Sequence, residues 1–163
     1  MLTFNNKAIK IGSTNAWISN TYIPKRTLRF RFLAWDDDVP TDHLPTLAEL
    51  QSWQESTPIG TWSQIGTNVF DWTCTNNVWG ANDGTRTKLY RDTASFRNAS
   101  GRPESFLRHI KFDIIGADLS GVTNIANLFS LMHIVHCCTF KNADSVTSAS
   151  YLFQSQNINK ATL

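Results

Sequence analysis

A pattern in the last third of the chain constrains the fold more than any other feature. Residues 114–129, IIGADLSGVTNIANLF, are followed by a second copy at 138–153, CTFKNADSVTSASYLF. Val122 returns as Val146, Thr123 as Thr147, Leu128 as Leu152 and Phe129 as Phe153, each at an offset of 24 residues. Self-similarity at a fixed period means that each copy is a unit which buries its apolar side only against a neighbouring copy.

Each copy reads as a strand followed by a short helix. Ile110, Phe112 and Ile114 alternate with Lys111 and Asp113, the period of a half-buried strand. Ser120, or Asp144 in the second copy, is placed to cap a helix. Val122, Ile125, Leu128, Phe129 and Met132 then fall on one apolar stripe, which the second copy keeps with Val146, Ala149, Leu152 and Phe153. The expected repeat core is therefore Val122, Ile125, Leu128, Phe129, Val146, Ala149, Leu152 and Phe153. A period of about 20–29 residues is that of leucine-rich-repeat solenoids.

Ala117, Asp118, Leu119, Ser120 and Gly121, followed by Val122, Thr123, Asn124, Ile125, Ala126, Asn127, Leu128 and Phe129, resemble the "D-x-S-x-V-T-N-M-x-x-M-F" unit of the BspA-type leucine-rich-repeat surface proteins. The second copy departs from it at Ser148, where the first has Asn124, and the methionine positions hold Ile125, Leu128, Ala149 and Leu152. The opening MLTFNNKAIKIG resembles the start of gut-bacteriophage and prophage proteins that carry this repeat behind a small N-terminal domain. The resemblance covers the last third and the first dozen residues. It implies an α+β chain: a β-rich attachment domain over 1–80, a connector and cap over 81–108, and a short BspA-like solenoid of strand-helix units over 109–163.

Composition narrows the function classes. With 163 residues and a net charge of +2, the chain shows no nucleic-acid footprint and no acidic tail. Lys25, Arg26, Arg29 and Arg31 are the one basic cluster, read as a solvated strand face. Cys74, Cys137 and Cys138 have no metal-ligand spacing, and adjacent cysteines in a strand point apart, so free thiols formed in a reducing compartment are expected. The opening residues lack the apolar stretch of an export signal, and no run is long enough to cross a membrane. No polar capping unit follows the second copy, so the expectation is that another chain covers that end or that the array continues.

The earlier part of the chain reads as strands and turns. Residues 2–11 form a hairpin around Asn5-Asn6, suited to docking, and 27–35 form a strand whose apolar residues are Leu28, Phe30 and Phe32. Asp36, Asp37 and Asp38 lack the spacing of a calcium loop and are expected in a solvated turn. Thr46 and Glu49 have capping-box spacing before a brief helix. Residues 61–79 suggest two strands joined at Asn76-Asn77, and Pro103 opens a helix through Phe106 and Leu107.

Trp35, Trp53, Trp62, Trp72 and Trp79 cluster in this part. Such aromatics more often build the core of a small β domain than a sugar-stacking platform; under the second reading these five are the candidate glycan or partner contacts. His43, His109, His133 and His136 form no metalloprotease pair, and neither a nucleophile elbow nor a phosphate loop is present. No catalytic, cofactor-binding or metal-binding residue is therefore expected. The resemblance implies a virion structural protein, a head or tail fibre or decoration protein, assembled in the host cytoplasm. It would anchor to other virion proteins, form a homo-oligomer and present its repeats to a host glycan or protein, with no nucleic-acid partner and no membrane insertion. The alternative is a bacterial cell-surface protein for adhesion or protein interaction.

Overall fold

The computed structural model of the chain describes residues 22–39, 41–81 and 86–154, together with the backbone pairing of 3–4 and 7–8. Within these residues the elements in order are β1 (Thr3–Phe4), β2 (Lys7–Ala8), β3 (Thr27–Trp35), α1 (Leu47–Ser52), β4 (Thr61–Gly66), β5 (Val69–Thr73), α2 (Lys88–Arg91), β6 (Phe96–Arg97), β7 (Pro103–Glu104), β8 (Ile110–Asp118) and β9 (His133–Cys137). One sheet of five strands dominates, in the order β4-β5-β3-β8-β9, antiparallel except for the parallel pair β8-β9.

The expected architecture, a β-rich domain followed by a leucine-rich-repeat solenoid of strand-helix units, is overturned by this topology. The described residues form mostly a mixed five-stranded sheet with two short helices, and no solenoid is found among them. The decisive pairing is β3 with β8, two nine-residue strands from opposite parts of the chain. Their faces match: Leu28, Phe30, Phe32, Phe112 and Ile114 are buried on one side, while on the other Arg31 Nε donates to Asp113 at 3.0 Å. A one-residue slip would turn these aromatic rings to the opposite face, so the pairing is strongly specified.

No helix forms over 120–132, although the apolar spacing there suits one. Successive three-residue turns take its place, with Val122 N–H donating to Leu119, Leu128 to Ile125 and Met132 to Phe129. Such turns return an apolar residue to the same side every third position, so the spacing alone does not separate them from a helix. Left-handed backbone at Gly121, Asn127 and Leu131 interrupts any helix. The remaining amides bond sideways. Ile125, Asn127 and Phe129 donate to the carbonyls of Ser148, Ser150 and Leu152 at 2.8, 3.0 and 3.2 Å.

Three layers of chain are stacked in this way. Val78 bridges Asn124, and Asn124 bridges Ser148. The Phe129 and Phe153 rings stack at 5.8 Å between centroids. Gly80 belongs to the first layer, where an added Cβ would meet the backbone nitrogen of Ala126 at 2.2 Å.

Other expectations resolve individually. β1 and β2 pair antiparallel, Thr3 with Ala8 and Phe4 with Lys7, while Asn5-Asn6 lie outside the described residues. The turn joining β4 and β5 falls at Thr67-Asn68, not at Asn76-Asn77, with Asn68 taking the left-handed conformation. The capping box at Thr46 is formed. Pro103 starts a short strand rather than a helix, and a single 3-10 turn, Phe106–Arg108, follows it.

The basic cluster is only partly a solvated face, with Lys25 and Arg31 exposed. Arg29 is buried in a two-pronged bond to Asp71, Arg31 reaches Asp113, and Arg26 bonds the carbonyls of Thr75 and Ser120. All three cysteines are free, and burial pushes the Cys137 thiol up to about 12. No helix among the described residues is long and apolar enough to cross a membrane.

Candidate functional site: an aromatic cleft

The five candidate tryptophans divide into two groups. Trp62, Trp72 and Trp79 are enclosed in the core and offer no surface to a ligand. Trp72 is further committed by its indole N–H, which donates to the buried Asp92 carboxylate at 2.8 Å. That carboxylate also accepts from the amides of Ile59 and Gly60, and an added Cβ on Gly60 would lie 2.3 Å from Trp72 Nε1. A buried anion held by three N–H donors ties the loop before β4 to the end of α2.

Trp35 and Trp53 are only half-buried and stand at a cleft. Trp35 ends β3, and Trp53 closes α1 as its C-terminal cap. Phe96 lies beneath them, stacked on Trp35 at 5.5 Å and edge-on to Trp53 at 5.1 Å between ring centroids. The cleft has two open lobes sharing Trp35, Val39, Thr41 and His43. One lobe, of about 340 Å³, reaches Asp37 and Asp42; the other, of about 270 Å³, reaches Glu49, Trp53, Arg97 and Asn98.

Fixed hydrogen bonds shape the rim. Trp35 Nε1 donates to the carbonyl of His43 at 2.6 Å, pinning the loop over the indole. His43 sits between two carboxylates, with Nδ1 3.0 Å from Asp42 and Nε2 2.8 Å from Glu49. Those two bonds raise the His43 pKa, and the bond from His43 lowers that of Asp42. Burial works against the charge on Glu49, but donation from Thr46 and His43 holds its pKa below the usual value.

Two residues of the acidic run are likewise anchored. Asp36 contacts His133 at 2.9 Å and Asp38 contacts His109 at 3.0 Å, while His109 also meets Glu104 behind Phe96. His133 and His136 have different partners, Asp36 and Asp113, so they do not converge. Among the described residues no group of three metal-ligating side chains could hold an ion.

Among the described residues, Thr41 with His43 resembles a nucleophile and base. The Thr41 hydroxyl is 3.3 Å from Nδ1, but Asp42 holds the same nitrogen at the shorter distance of 3.0 Å. Asp42 thus competes with the Thr41 hydroxyl for that nitrogen.

Sequence reasoning named Trp35 and Trp53 but not Phe96, Arg97, Asn98 or Thr41. Phe96 lies in the polar stretch between 80 and 101, where no periodicity marks it. The turn chemistry of Asn98 was the available signal: its Oδ1 accepts from the amides of Ser100 and Arg102, both at 3.0 Å, and shapes the β6-β7 hairpin. Comparisons with protein-family models, curated proteins and solved structures return no match.

Proposed function

We propose that this protein is a structural attachment component of a bacteriophage particle, a head or tail fibre or decoration protein. Its N-terminal part joins other virion proteins, identical chains assemble as a homo-oligomer, and the Trp35-Trp53 cleft contacts the host surface. The observation that carries the binding role is the division among the tryptophans. Three complete the core, whereas Trp35 and Trp53 stay half-open above Phe96, on a rim of hydrogen-bonding groups. Half-open indoles at a concave site retain the apolar area and the polar edge that recognition uses. The virion setting is supported by the resemblance of the first dozen residues. The cleft replaces the repeat surface as the contacting face, because the strand-helix units that would have displayed such a surface are not formed.

Two measurements test the reading. Mass spectrometry of purified particles from the source culture is expected to find the chain in fixed stoichiometry to the capsid protein. Absence from particles, together with recovery from a bacterial envelope fraction, overturns the virion assignment and favours the adhesion protein. For the cleft, particles carrying Ala99→Trp are expected to adsorb to host cells at least about tenfold more weakly, since Ala99 is exposed and lines the second lobe. Unchanged adsorption overturns the cleft as the contact surface.

A further inference from the structure

Building on that attachment reading, we infer that the cleft takes a neutral saccharide. Three features of the site converge on this class. The floor supplies apolar area at Trp35 and Trp53, backed by the ring of Phe96, where the C–H face of a sugar ring can lie. Around that floor stand groups of both hydrogen-bonding senses. Asn98 spends its oxygen on Ser100 and Arg102, which leaves its amide nitrogen as a donor, and the Thr41 hydroxyl both donates and accepts. A polyol, whose hydroxyls do both, matches such a rim.

Charge selects among sugars. Asp42 and Glu49 share the single imidazole of His43, which can offset at most one of them, while Asp36 bonds His133 and Asp38 bonds His109. The first lobe is therefore acidic, through Asp37 and Asp42, and the cation at the second is Arg97. An extended anion would meet Asp37 and an extended cation would meet Arg97, while a neutral ligand spanning both lobes meets neither repulsion. Lobes of about 340 and 270 Å³ lie near the small end of ligand sites and suit about one ring each. Their openness lets a longer chain enter and leave at both ends.

The test is a glycan array carrying neutral, acidic and amino-sugar oligosaccharides, probed with the full chain and followed by titration of a positive neutral glycan with tryptophan fluorescence as the readout. Binding confined to neutral glycans is expected, with a shift in indole emission that Ala99→Trp weakens at least about tenfold. Ala99 lies in an exposed turn, so this variant is expected to fold, which an unchanged thermal melt checks. Trp53→Ala should also abolish binding, but it touches the core and is read only beside the blocking variant. Selective binding of acidic or amino-sugar glycans overturns the inference, as does neutral-glycan binding that survives Ala99→Trp. A silent array combined with adsorption lost in Ala99→Trp particles overturns the saccharide class and leaves the attachment reading standing. Neutral-glycan binding lost in Ala99→Trp, combined with normal adsorption, supports the saccharide class and overturns the attachment reading.

Discussion

The two copies of the 24-residue pattern carry nearly the same apolar residues yet differ in what they bury. In the first, Val122, Ile125, Leu128 and Phe129 are all in the core. In the second, Val146, Leu152 and Phe153 are half-buried and Ala149 is exposed. The first copy is covered on both sides, by the 77–81 layer and by the second copy. Among the described residues the second copy is covered on one side only. Equal pattern therefore does not mean equal contribution, because burial depends on a layer's neighbours.

The largest expected effect separates the copies directly. Phe129→Ala should cost about 3–5 kcal/mol, the range for a fully buried phenylalanine. Phe153→Ala should cost only about 1–2 kcal/mol, since its ring keeps part of its contact with water. Urea melts of both variants decide the point, and equal losses would break the comparison.

A second test probes the contact between layers. Gly80→Ala should destabilise by about 1–3 kcal/mol, because the new methyl group would press on the Ala126 backbone rather than on a movable side chain. An unchanged melt would mean that the first layer is not closely seated.

A third sharpens the comparison at matched positions. Asn127 and Tyr151, 24 residues apart, both adopt left-handed backbone, at φ 57° and 55°. Asn127 tolerates it and also donates from Nδ2 to the carbonyl of Ala81 at 2.8 Å. Asn127→Ala should cost about 1–2 kcal/mol through strain and a lost bond. Tyr151→Asn should instead stabilise by about 0.5 kcal/mol, because tyrosine accepts that conformation poorly and its side chain is exposed. Loss of stability in both variants would show that the second copy is as tightly constrained as the first.

The smallest effect is chemical. Cys74 is fully buried beside β5, whereas Cys137 and Cys138 are partly open at the end of β9. At pH 8 the native protein should react slowly with a thiol reagent, because burial raises the pKa of all three thiols, and Cys74 should react last because it is fully enclosed. The denatured chain should titrate three thiols. Preferential labelling of Cys74 would reverse the expected order of enclosure.

What the sequence determined by itself was mainly local. The alternation of Leu28, Phe30 and Phe32 defined β3, that of Ile110, Phe112 and Ile114 defined β8, and Thr46 with Glu49 defined the start of α1. Each depends on residues a few positions apart, where side-chain direction and capping act directly. The 24-residue offset was legible as well, and it returns in the Phe129-Phe153 stack. Two matters were decided only by the tertiary structure. One was the form of residues 120–132, because an apolar residue every third position fits both a helix and a series of turns, and the choice rests on amides that find partners at 148–154. The other was which tryptophans stay open. Trp62 and Trp72 face each other across β4 and β5 and point into the core, while Trp35 lies at the end of β3 and Trp53 at the end of α1. The pairing of β3 with β8 places Trp35 beside Phe96 of the β6-β7 hairpin, a juxtaposition between residues more than 60 positions apart that no local pattern encodes.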